Sequence, residues 1–104
     1  MDLDAGRLEV AKKLGATATI NPAKREVPAA ILALTQGSGP DIVFEAAGPP
    51  KTASLAIHLM KRRGRVVMIG LPPEDNFPYP LVAAMAKETD IMTVFWYANA
   101  ILRR

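Results

Sequence analysis

Apolar and polar positions alternate along this chain in two rhythms, and the rhythms take turns. Between Asp4 and Gly15, Leu8, Ala11 and Leu14 or Gly15 recur at helical spacing. Asp4 is placed to cap the first turn, because its carboxylate can accept from a free amide there. Lys12 and Lys13 stand near the negative end of the helix dipole, and Gly15 suits a left-handed terminating residue. Residues 16–20, "ATATI", read as a short β-branched strand stopped by Asn21-Pro22. Pro28 fits the first turn of a second helix, running to about Thr35 with Ile31, Leu32 and Leu34 apolar. "GSGP", residues 37–40, is a loop.

From there the runs become longer. "DIVFEAAG", residues 41–48, is apolar almost without interruption, which predicts a strand buried on both faces. Residues 50–63 predict a helix with Ala53, Ala56, Ile57 and Met60 along one side. "GRVVMIGL", residues 64–71, predicts another buried strand. "PPEDNFPYP" carries too much proline for regular structure, and a short helix near residues 81–87 follows it. "DIMTVFWY", residues 90–97, predicts the last strand. Strands alternating with helices imply an α/β layered domain, a partial Rossmann-like parallel sheet of about four strands with flanking helices. Three strands end in small residues or a turn: Ala47-Gly48, Gly70, and the turn after Tyr97. Ligands of open α/β sheets bind beyond such carboxyl ends. Tight strand-to-helix turns explain the same glycines, and the pattern alone favours that plainer reading.

Composition narrows the field. At 104 residues, half of them hydrophobic and 22% charged, the chain is one globular domain at most. No apolar run reaches the roughly 20 residues of a membrane-spanning helix, and no secretory signal pattern is visible, so a cytoplasmic location is expected. Cysteine is absent, which removes disulfides, thiol catalysis and cysteine-based zinc sites. His58 stands alone in a helix, which predicts a packed or surface histidine. Glu45 and Asp90 read as strand-end hydrogen-bonding carboxylates. The net charge of +3 leans on "KRRGR", residues 61–65. A basic patch attracts phosphates, but no aromatic is interleaved and no nucleic-acid motif surrounds it. Cations at a helix C-terminus are also what the dipole favours, so neither a nucleic-acid nor a membrane partner is expected.

Four segments together carry a resemblance. "DLDAGRLEVAKKLGA", "DIVFEAAG", "GRVVMIGL" and "DIMTVFWYAN" come in the order and spacing of the zinc-containing medium-chain alcohol dehydrogenases. The chain resembles the sorbitol (polyol) branch, with threonine dehydrogenases as near neighbours. The resemblance runs from Asp2 to about Asn99 and covers the second half of that family's NAD-binding domain. It implies that Asp2 accepts from the adenosine ribose hydroxyls, favouring NAD over NADP, and that Arg7 reaches the same side. It implies that Ile69, Gly70 and Leu71 lie along the nicotinamide, with Phe95, Trp96 and Tyr97 closing over it. At Trp96 the polyol branch usually carries arginine, and an indole cannot replace a forked guanidinium. The tail "NAILRR" also leaves the family pattern.

The resemblance sets further expectations. The family's first strand, its glycine-rich phosphate turn and the following helix have no counterpart here. "GSGP" precedes a strand and is no G-x-G-x-x-G fingerprint. The chain therefore reads as a fragment or truncated remnant, or as a self-standing α/β interaction module derived from that fold. NAD affinity is expected to be weak or lost, zinc belongs to a catalytic domain not represented, and no residue is assigned to catalysis. Bare strand edges predict self-association, as a homodimer or a swapped oligomer.

Overall fold

The computed structural model describes residues 1–46, 50–69, 75–76 and 78–94. The chain divides into two compact units, Met1–Gly37 and Ser38–Arg104. In the first, helix α1 (Ala5–Lys13) starts as its sequence predicts, with the Asp4 side chain accepting from the amides of Gly6 and Arg7. It ends in a Schellman turn. Gly15, at φ +110°, donates to the Lys12 carbonyl at 3.1 Å, and Ala16 donates to Ala11 at 3.0 Å. Leu8 and Ala11 are half-buried, while Leu14 is fully in solvent, so α1 buries no residue completely. Helix α2 (Val27–Leu34) carries proline in its first turn and buries Val27 and Ala30.

The second unit alternates strand and helix: β1 (Ile42–Glu45), α3 (Pro50–Leu59), β2 (Arg65–Met68), α4 (Leu81–Ala86) and β3 (Asp90–Thr93). The three strands form one parallel sheet in the order β1-β2-β3. Register places Val43, Val66 and Ile91 side by side, and one step on, Phe44, Val67 and Met92. The core is built on the Val43/Val66 face, where Ala56, Ile57 and Met60 of α3 and its end meet Val66 and Ala84. Full burial of side chains such as Ile57 and Met60 stabilises the fold by about 1.5–3 kcal/mol each.

The loop ahead of β1 fits tightly. Gly39 is buried at φ +86°, and a Cβ there would run into the carbonyl of Leu59. Helix α3 stops at Leu59, short of the expected residue 63. A turn takes over, with Arg63 at φ +63° and the Gly64 amide donating to the Lys61 carbonyl. Three free carbonyls at this end, those of Ile57, His58 and Met60, accept from Lys87 Nζ at 3.1, 2.6 and 2.9 Å. The basic cluster is matched by acids: Lys61 to Asp41 at 2.7 Å, Arg62 and Arg63 to Glu88 at 2.6 and 3.2 Å, Arg65 to Asp90 at 2.8 Å. His58 lies at the surface, its Nδ1 donating to the Ser54 carbonyl at 2.9 Å.

Two expectations are corrected. Residues 16–20 form no strand, so the sheet has three strands among the described residues where about four were expected. Alternating threonines favour extended backbone, but a strand exists only by pairing. Here the Ile20 carbonyl takes one bond from the Asp2 amide, at 3.2 Å, and no ladder follows. Nor is β1 buried on both faces. Among the described residues it is a sheet edge, with Ile42 53% and Phe44 66% exposed, while Val43 and Glu45 on the other face are half-buried and buried. Glycine 48, residues 70–71 and 95–97, and with them the far ends of the expected strands, lie outside the described residues.

Candidate functional site

Asp2 and Arg7 are brought together at the start of α1. The Asp2 amide bonds to the Ile20 carbonyl, fixing the chain ahead of the helix. One Asp2 carboxylate oxygen accepts the Asp4 amide at 3.0 Å, and the other lies 3.8 Å from the Arg7 guanidinium. That guanidinium also lies 3.9 Å from Asp4, and three-quarters of its side chain is in solvent. The Asp4 amide, and after partial desolvation acting the other way the Arg7 charge, hold the Asp2 carboxyl below its ordinary 3.8. It is therefore ionised at neutral pH, with about a third of its side chain open (34%). A carboxylate held like this accepts from hydroxyls and repels phosphate.

In the second unit the carboxyl ends of β1 and β2 carry Glu45 and Ile69. The Ile69 amide donates to the Glu45 carbonyl at 2.8 Å, extending the ladder one residue past β2. Ile69 is half-buried. Glu45 is the buried acid of this unit, and its carboxylate accepts from the Thr52 hydroxyl of α3 at 2.7 Å. Burial, and secondarily the Glu45 charge, push the Tyr79 phenol up. Tyr79 lines an open cleft of about 400 Å³ with Lys51, Ser54, Pro78 and Pro80. The Glu45 strand-end bond was legible as an acid closing an apolar run. The cleft was not, since its walls come from segments far apart in sequence. Asp90 likewise makes a strand-end contact, to Arg65.

Gly70, Leu71, Phe95, Trp96 and Tyr97 lie outside the described residues, so of the expected contacts to a nucleotide the structure places Asp2, Arg7 and Ile69. Residues 1–103 match the family described as zinc-binding dehydrogenase. The chain belongs to that family. It is 36% identical over 98 residues to the sorbitol dehydrogenase of Bacillus subtilis, which covers 94% of this chain but 28% of that enzyme. The alcohol dehydrogenase of Thermus sp. ATN1 superposes with a TM-score of 0.81 at 32% identity, over 96% of this chain and 30% of that one. A zinc-binding dehydrogenase of Sinorhizobium meliloti 1021, solved bound to NADP, gives 0.79 at 28% identity, over 89% and 28%. The chain thus spans less than a third of the length of these relatives.

For this zinc-binding dehydrogenase chain the two groups implied by its family fare differently. An ionised, partly open carboxylate beside an arginine fits the ribose end of a nicotinamide dinucleotide. Zinc does not fit these residues. The chain has no cysteine, and the described residues hold no cluster of three His, Asp or Glu, so no residue here is assigned to the metal. No helix among the described residues is long and apolar enough to cross a membrane.

Proposed function

We propose that this chain supplies the ribose-recognising turn and the nicotinamide-side sheet of an NAD-dependent, zinc-type polyol dehydrogenase, whose reaction is hydride transfer between NAD and a secondary alcohol. The observation that carries the reading is the Asp2 carboxylate. It is ionised, fixed by the Asp4 amide and beside Arg7, and it sits at the start of the family's matched stretch. Its role is to accept from both ribose hydroxyls and to disfavour a 2′-phosphate. Arg7 flanks the adenosine, and Ile69, Gly70 and Leu71, with Phe95, Trp96 and Tyr97, give the nicotinamide an apolar wall. No G-x-G-x-x-G turn occurs in these 104 residues, and pyrophosphate binding normally relies on the amides of the helix after such a turn. The chain alone therefore binds NAD weakly and does not turn over.

Titration of the labelled chain with NAD, followed by NMR, tests this. The amides of Asp2 and Arg7 should shift with a Kd above about 100 μM, since few contacts remain to supply affinity. NADP should bind more weakly still, and Asp2→Asn should narrow that difference. Silence at Asp2 and Arg7 up to millimolar NAD, or NADP the tighter ligand, defeats the reading.

A further inference from the structure

We propose that Asp4 is a second determinant of cofactor preference beside Asp2, acting through Arg7, whose guanidinium it keeps from a 2′-phosphate. The inference rests on the nucleotide reading above and deepens it. Two carboxylates at the start of α1 are held alike, each with its oxygens divided between two tasks. In Asp2, Oδ1 accepts the Asp4 amide at 3.0 Å, and Oδ2 lies 3.8 Å from Arg7 Nη1. In Asp4, Oδ1 accepts the amides of Gly6 and Arg7 at 2.8 and 3.2 Å, and Oδ2 lies 3.9 Å from Arg7 Nε. Backbone bonds thus fix both acids, and their other oxygens face the same guanidinium at two different nitrogens.

A guanidinium grips phosphate through two parallel N–H bonds, either from its end or from the side edge formed by Nε and Nη2. Here Asp2 faces the end, at Nη1, and Asp4 faces the side edge, at Nε. A 2′-phosphate therefore meets a carboxylate already turned to either edge of Arg7. Ribose hydroxyls make no such demand, since Asp2 accepts from them without the guanidinium. Asp2 alone would leave the side edge open; Asp4 closes it. Arg7 and Asp4 are well exposed, with 75% and 55% of their side chains in solvent, so water screens the pair and holds the effect to a few-fold. The two tasks of Asp4 can be separated. A serine hydroxyl caps a helix as Oδ1 does, but it carries no charge to set against Arg7.

The whole chain carrying Asp4→Ser, titrated by NMR with NAD and separately with NADP at low salt, tests this at the Asp2 amide. The ratio of the two Kd values should move about threefold toward NADP, and most of that shift should vanish at about 150 mM salt. Asp4→Asn, also a good cap, should move the ratio the same way and decides the matter if the serine variant does not fold. In an Arg7→Gln background the Asp4→Ser shift should largely disappear, which loss of a helix cap alone would not bring about. An unchanged ratio overturns the inference and leaves the nucleotide reading standing. A shift of equal size without Arg7 also overturns it, because the Asp4 charge would then act without the guanidinium. If NAD leaves Asp2 and Arg7 silent in the unaltered chain, the reading and the inference fall together.

Discussion

Gly39 and Asp4 show how differently single residues announce themselves. Asp4 caps α1 through bonds to residues two and three positions on, and local geometry of that kind is readable from sequence. Gly39 sits in a loop whose sequence asks only for a small residue, and only the fold shows that the Leu59 carbonyl occupies the space of its missing Cβ. Its left-handed backbone, φ +86°, costs about 1–2 kcal/mol for a residue with a side chain. The collision adds about 1–3 kcal/mol through forced shifts. Gly39→Ala should therefore lower the unfolding free energy by more than about 2 kcal/mol in a urea titration. A loss under about 1 kcal/mol would mean the loop moves aside freely. Arg7, by contrast, was identified by resemblance, and the structure adds that Asp2 and Asp4 both flank it.

At the scale of elements, helix α3 is the clearest case of a boundary that sequence leaves open. Its apolar spacing runs on through Met60, and the basic residues after it invite continuation. The chain ends the helix at Leu59 because Arg63 turns left-handed and its amide goes to the Lys87 carbonyl at 2.8 Å. Lys87, 27 positions from Met60, then caps the end with three hydrogen bonds to carbonyls. Free carbonyls at a helix end need such partners or water. Lys87→Met keeps the stem and removes the ammonium. It should destabilise the chain by about 1–2 kcal/mol, discounted for the water that can reach this half-buried end. A thermal melt within a degree of the original would show that water replaces the cap without loss. The same end explains "KRRGR". Its cations meet Asp41, Glu88 and Asp90, which come from before β1 and after α4.

Across the whole molecule, burial is unevenly shared. The unit Met1–Gly37 buries Ile20, Val27 and Ala30, and α1 buries nothing completely. The unit beginning at Ser38 closes its core on Ile57, Met60 and Val66, each 1% exposed or less. Segments with few buried apolar contacts open at lower free energy. Native-state hydrogen exchange should find the amides of α1 among the fastest and those of α3 and β2 the slowest. Equal protection in α1 and β2 would contradict this picture of two unequal units.

By itself the sequence determined the order of helices and strands in the second unit, the cap and the glycine stop of α1, and the family. Each of these rests on neighbours within a turn, on period, or on motifs in register. Tertiary structure decided what pairs with what. "ATATI" has the residues of a strand but finds no ladder, because pairing partners are chosen in space and one bond to Asp2 does not make a sheet. Residues 42–45 have the composition of a central strand yet form an edge among the described residues, because burial is conferred by what lies beside and above a strand, and there only β2 is paired with this one.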